Sequence, residues 1–283
     1  MIWQTSRRKI SLDRPLVMGI LNVTPDSFSD GGRFATVDAA LRQAEAMIAA
    51  GADIIDIGGE STRPGSRRVS ATEEIRRVLP VIEAIAARHD TPISIDTSKA
   101  EVARRALDAG AEIINDISGL RWDTGIAEVA AELGAGLVLM HSRGTFNTMH
   151  SEPPVIDIMS DVSIGLLRSV NTAKSFGVSD EQIALDIGIG FGKTPDQNLE
   201  LLAKLDRLVE EFSIYPMLVG ASRKSFIGKI TGDGPPTDRL AGSLASAIVA
   251  VENGARIVRV HDVRQTVEAI RVRSAIKKLE PRQ

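Results

Sequence analysis

The sequence predicts an α/β chain closed into a (β/α)8 TIM barrel, on three observations. Eight short apolar runs rich in Ile, Val and Leu recur between residues 16 and 262. Between them lie stretches with apolar residues at helical spacing, as in Ile75, Val78, Leu79, Ile82 and Ile85. A length of 283 residues suits one barrel of this kind. Apolar strands joined by helices imply a parallel sheet buried on both faces, for which an open doubly wound sheet is the alternative.

In chain order the runs are LVMGILN, DIIDIGG, PISIDTS, EIINDIS, GLVLMHS, QIALDIG, PMLVGAS and RIVRVHD. Capping-box patterns mark helix starts at Ser70-x-x-Glu73, Ser98-x-x-Glu101 and Thr194-Pro195-x-Gln197, the last with Pro at the first helical position. Gly51, Gly110, Gly134 and Gly254 mark helix ends, each just before the next strand. No break in composition suggests a linker, so residues 1–283 read as one domain. Residues 1–15 precede the repeat as an extension, expected to form a strand or hairpin that closes the barrel's bottom.

Composition narrows the function. The 34 Lys and Arg against 37 Asp and Glu give a net charge of −3, so no global field favours nucleic acid or an anionic membrane. Any anionic ligand must be held by locally placed bases. Zero cysteines exclude disulfides and thiolate metal sites, and His89, His141, His150 and His261 lack zinc-ligand spacing. Neither a signal-peptide core nor a run of about 18 apolar residues is found, so a soluble, cytoplasmic protein is expected.

In a barrel, chemistry sits where the strands end and the βα loops converge. Those positions hold Asn22, Gly58-Gly59-Glu60, Asp96, Asn115-Asp116, His141, Asp186, Ser222-Arg223-Lys224, and Arg259 with His261-Asp262. Any one could be a turn former or helix cap. All eight together point to a polar pocket. Asp96 and Asp186 facing Asn115 suit a flat heterocycle with an amidine-like edge, because carboxylates accept paired N–H groups and Asn both donates and accepts. Arg63, Lys224, Arg259 and His261 form a basic group suited to phosphate or diphosphate. Arg259 alternates with Ile257, Val258 and Val260, so its guanidinium points into the barrel or at its mouth. For Arg223 and Lys224 a solvated helix start stays equally open.

DIGIGFGKT resembles a phosphate-binding loop, but Ile187 stands where G-x-x-x-x-G-K-[ST] needs its first glycine. The glycines read instead as backbone brought close to a flat ligand, with Phe191 nearby. No G-x-S-x-G or H-E-x-x-H is present. His141 is as readily structural as catalytic, and His89 and His150 read as surface residues.

Taken in order, GILNVTPDSFSDGG, GGESTRPG, SIDTSKAEVA, NDISG, GIGFGKT, SRKSFIG and RVHDV resemble the dihydropteroate synthase family of pterin-binding barrels, over about residues 16 to 270. The resemblance implies condensation of 7,8-dihydropterin-6-ylmethyl diphosphate with 4-aminobenzoate, inhibition by sulfonamides, and a homodimer through the late helices. It makes Asp96, Asn115, Asp186 and Lys224 pterin contacts, flanked by Met140 and Phe191, with Asp96, Asp186, Lys224 and Arg259 carrying the chemistry. It makes Asn22 the Mg2+ ligand on a diphosphate held by Arg63, Arg259 and His261. Phe28, Thr62, Pro64 and Ser225 line the aminobenzoate site. Family members commonly have Pro in place of Ile187 and of Phe146, which puts loop geometry there in question. Two alternatives share the pterin contacts. A methyltetrahydrofolate:corrinoid methyltransferase has no use for the diphosphate clamp in STRPG and RVHDV; a non-catalytic pterin-binding paralogue would not need every carried residue intact. The loop over residues 23–33 is too rich in Gly, Ser and Asp to be rigid alone and is expected to order over the substrates.

Overall fold

The computed structural model of the chain describes residues 1–24, 33–63 and 65–279, with backbone alone at 33–36. The eight apolar runs become β3 (Leu16–Asn22), β4 (Ile54–Gly58), β5 (Ile93–Asp96), β6 (Ile113–Asp116), β7 (Gly136–Met140), β8 (Ile183–Asp186), β9 (Met217–Val219) and β10 (Ile257–Val260). Each pairs in parallel with the next, and β10 returns to β3, with Val258 opposite Val17 and Arg259 opposite Met18. That last pairing closes the barrel and rules out the open doubly wound sheet.

Outside the strands run α1 (Arg33–Ala49), α2 (Ala71–Ala86), α3 (Ala100–Asp108), α4 (Gly125–Leu133), α5 (Ile158–Ser175), α6 (Pro195–Ala203), α7 (Leu205–Glu211), α8 (Ser225–Thr231), α9 (Leu240–Glu252) and α10 (Val263–Lys277). The strands' period of two divides the apolar residues between two cores. Ile55, Ile57, Leu137 and Val258 face outward and pack with Val78, Ile82 and Leu166 of the helices. Met18, Ile54, Ile113, Val138, Ala184, Leu218 and Ile257 face inward and fill the lower barrel. On β4 this parity puts Ile54 inside at the bottom and Asp56 two residues nearer the mouth.

The extension closes the bottom as expected. β1 (Ile2–Gln4) and β2 (Lys9–Ser11) pair as an antiparallel hairpin. Trp3, fully buried, joins the inner core, and its indole N–H donates to the Gln182 carbonyl at 2.8 Å.

Most helix signals hold. Ser70 accepts from the Glu73 N–H, Thr194 and Gln197 form a full capping box with Pro195 at the helix start, and all four marked glycines have positive φ. Ser98 does not cap α3. Its cap is Lys99 with no side-chain bond, and Asp123, from the loop before α4, accepts the Ala100 N–H at 2.7 Å. A carboxylate borrowed from a neighbouring loop does the work a serine could have done locally.

Candidate active site

The strand ends β3, β4 and β5 align Asn22, Gly58 and Asp96 side by side, and β5 to β6 aligns Asp96 with Asn115. Four inward positions on successive strands therefore form one wall of a cup. Gly58 lies between two of them: a Cβ there would make ordinary contacts, 3.7 Å from both Asn22 Oδ1 and Asp96 Oδ2.

Arg259 enters from β10. Its Nε donates to Asp56 Oδ2 and its Nη2 to Asp96 Oδ2, each at 2.6 Å. Asn115 Nδ2 also donates to Asp56 Oδ2, at 3.1 Å. Asp56, fully buried, thus holds both a cup arginine and a cup amide from below. Sequence reasoning passed over it as a mid-strand residue in DIIDIGG; its inward parity with Gly58 was the available signal. The two carboxylates hold the Arg259 proton more tightly than usual against the loss of solvation. The acidic and basic groups that the sequence separated are in direct contact here.

Burial dominates the other charges. It lifts Asp96 to about 7 against the opposing pull of Arg259, and raises Asp186 although the Gly188 N–H donates to its Oδ1 at 2.7 Å. It lowers Lys224 to about 8, with Arg259 adding like-charge repulsion. Lys224 Nζ lies 4.1 Å from the Phe191 ring centroid. The alternative left open for this pair is settled separately for each residue. Lys224 turns into the cup, while Arg223 is tied to Asp262 by Nη2–Oδ1 and Nε–Oδ2 bonds of 2.5 and 3.0 Å.

His261 is pushed down to about 3, first by burial and then by Arg259 and Arg223, so it is a neutral ring with Nδ1 3.1 Å from Ser222 Oγ. His141 is likewise held to about 4 by burial, and its Nε2 faces Asp161 at 3.3 Å. Asp116 faces away from the cup and folds the turn after β6, accepting N–H bonds from Ser118 and Leu120 at 2.8 and 2.6 Å.

The GIGFGKT segment wraps Lys193, whose Nζ donates to the carbonyls of Gly188, Phe191 and His141 at 2.8, 3.2 and 3.3 Å. Gly188 has φ +66°, and a Cβ there would lie 1.8 Å from the His141 carbonyl oxygen. Only glycine fits this approach. Ile187, where the resemblance put loop geometry in question, is buried in the outer core.

The loop after β4 is pinned at its base. Glu60 Oε1 accepts the Val69 N–H at 2.6 Å, and Lys99 Nζ joins Glu60 Oε2 at 3.0 Å to fully buried Glu74 Oε2 at 2.5 Å. Thr62 is half-buried on this loop and Arg63 exposed at its tip, and Ser225 is exposed at the start of α8. Phe28, Pro64 and residues 25–32 of the expected lid lie outside the described residues, while Val23 at its start is buried and donates its N–H to the Gly58 carbonyl at 2.8 Å. Met140 and Phe191 sit together in a small buried cluster with Ile117, Phe146 and Met149. His150, read as a surface residue, is exposed but engaged: its ring stacks on Phe191 and bonds the Thr62 carbonyl.

A family model described as pterin binding enzyme matches residues 18–261. The chain is 49% identical over 263 residues to the dihydropteroate synthase of Escherichia coli strain K12, covering 93% of this chain and 92% of that one. A structure of Xanthomonas albilineans dihydropteroate synthase with 4-aminobenzoic acid superposes with a TM-score of 0.92 at 43% identity, covering 99% of this chain and 100% of that one. The same bacterium's enzyme in complex with 7,8-dihydropteroate gives 0.88 at 42% identity, covering 98% and 100%. A Yersinia pestis dihydropteroate synthase in a sulfonamide drug complex gives 0.91 at 45% identity, also covering 98% and 100%. Likeness of this extent, on a closed barrel whose strand ends carry the carboxylate, amide and guanidinium groups described, means that the chain belongs to the dihydropteroate synthase family of pterin-binding enzymes.

Proposed function

We propose that this barrel mouth joins 7,8-dihydropterin-6-ylmethyl diphosphate to 4-aminobenzoate, releasing diphosphate, and that the residues of the cup divide the charge of the reaction. The observation that carries the division is the Arg259–Asp96 contact, which puts a fixed cation and a carboxylate within one hydrogen bond of each other. As the methylene–oxygen bond breaks, its electron pair leaves with diphosphate and the methylene becomes cationic, delocalised through the pterin. Arg259, Arg63 and neutral His261 as a donor take the leaving group. Asp96, Asp186 and Asn115 hold the pterin edge, Met140, Phe191 and Lys224 flank it, and the carboxylates stabilise the developing cation. The path is dissociative. The amine of aminobenzoate, neutral at pH 7, needs placement beside the methylene by Thr62, Phe28, Pro64 and Ser225 more than it needs a base. Its nitrogen forms the new bond and sheds a proton to solvent or diphosphate.

Asn22 fits a hard cation. Its amide oxygen and the Asp96 carboxylate both lie close to Gly58, and among the described residues no cluster of three or more His, Cys, Asp or Glu is placed to hold a metal. That suits Mg2+, which takes one or two protein oxygens and completes its shell with phosphate and water. Bound there through Asn22, it would offset charge on the diphosphate.

The chain is read as one barrel domain over 1–283, with 1–15 as its extension. Cytoplasmic residence is part of the same reading and fits a chain without cysteine; among the described residues no helix is long and apolar enough to cross a membrane. A homodimer through α9 and α10 is supported by exposed Val249, Val272 and Ile276 on those helices. Sedimentation of Val272→Glu/Ile276→Glu should give a monomer from a wild-type dimer; an unchanged species removes this interface.

Diphosphate release from the two substrates with Mg2+ tests the reading, and sulfonamides should compete with aminobenzoate in the same assay. Arg259→Ala should lower kcat at least about a hundredfold, the scale of losing one charge-stabilising group in a dry site. Wild-type turnover in that variant would sink the assignment.

A further inference from the structure

Two loops meet across the rim of the cup. The loop after β4 carries Thr62 and Arg63 and, among its described residues, has no helix or strand between Gly58 and Ala71, so its position is set by what it touches. Its base rests on Glu60. Its far side rests on the loop after β7, residues 141–157. There the His150 Nε2–H donates to the Thr62 carbonyl at 2.8 Å, and the imidazole stacks on Phe191, with centroids 6.0 Å apart and planes 29° from parallel. Further along, the Arg68 guanidinium lies 5.7 Å from the Trp122 centroid and 5.8 Å from that of Phe146. Trp122 and Phe146 meet edge to face at 6.0 Å, and Phe146 is buried beside Met140, Met149 and Phe191.

We propose that His150, Phe146 and Arg68 are positioning residues: the loop after β7 is a strut that sets the distance between the pterin floor, Met140 and Phe191, and the backbone at Thr62. The strut rests on the proposed function for its consequence, since Thr62 is assigned to aminobenzoate. Two routes run through it. One passes from Phe191 through the His150 ring to a main-chain carbonyl, fixing Thr62 whatever its own side chain does. The other passes from Met140 through Phe146 to Arg68, six residues beyond Thr62. A proline at 146 would shape its own turn but present no aromatic face to a guanidinium. This chain therefore couples its two rim loops through a ring and a cation.

Steady-state kinetics with each substrate varied in turn tests the strut. His150→Ala should raise KM for aminobenzoate about three- to tenfold, the worth of one hydrogen bond, with KM for the pterin diphosphate changed less than about twofold. His150→Gln, whose amide can donate to the same carbonyl, should restore most of it. Phe146→Pro and Arg68→Ala should each cost about two- to fivefold in the same parameter, and together less than the product of the two, because both remove the Arg68–Phe146 contact. An unmoved aminobenzoate KM in His150→Ala, an equal rise for both substrates, or no rescue by Gln overturns the proposal. Amide hydrogen exchange reads the strut without any reaction: segment 60–70 should exchange faster in His150→Ala than in wild type, and equal rates overturn it. A wild type that releases no diphosphate yet shows faster exchange in the variant counts against the proposed function and leaves the strut standing.

Discussion

Asp96 is the residue on which the acid–base behaviour of the cup turns. Its usual value is 3.8, and burial raises it to about 7 even beside Arg259. The folded chain therefore binds that proton more tightly than the unfolded chain. The stability this contributes is present below about pH 4 and is lost as pH rises through 7. Ligand binding runs the other way. A pterin edge offers N–H donors to a carboxylate, and protonation of Asp96 removes an acceptor. Pterin affinity measured by calorimetry should thus fall as pH drops from 8 to 6, and Asp96→Asn should flatten the profile; a flat wild-type profile would separate Asp96 from the ligand. The polar strand ends were legible because a barrel's chemistry must sit where its strands stop. Asp56 was not. It lies mid-strand, and seeing it beneath Arg259 and Asn115 requires strands that are far apart in sequence to be set in register.

At the scale of elements, the βα loops show how local signals succeed and fail. Ser70 and Thr194 were readable because donor and acceptor lie within one helical turn. The start of α3 depends on Asp123, and the contact of His150 with Thr62 spans 88 positions, so no local pattern announces either. The loop after β4 owes its footing to Lys99, which sits between Glu60 and Glu74. Burial raises the Glu74 pKa while Lys99 lowers it, so the pair depends on the ammonium. Lys99→Met should cost about 3–5 kcal/mol in chemical denaturation, because it leaves buried carboxylates without a counter-charge. A loss below about 1 kcal/mol, the range of exposed pairs, would show that water reaches them.

Over the whole molecule, stability and chemistry occupy opposite ends of the barrel. Eight repeats favoured a closed barrel over an open sheet, because each strand–helix unit buries its apolar faces against its neighbours, and the β10–β3 pairing decides it. The bottom is sealed by Trp3 and the inner core, while the top holds the charged cup. Trp3→Ala should therefore destabilise by about 3–5 kcal/mol. Both KM values should stay at wild-type levels in the folded fraction; altered KM values would mean the floor transmits strain to the mouth. The same seal has a bearing on how the chain is made. Trp3 leaves the ribosome 179 positions ahead of the carbonyl that receives its indole. β10, which zips the ring shut against β3, emerges later still. Until then the nascent chain carries its base plate unseated, an apolar ring without the closed barrel that will cover it.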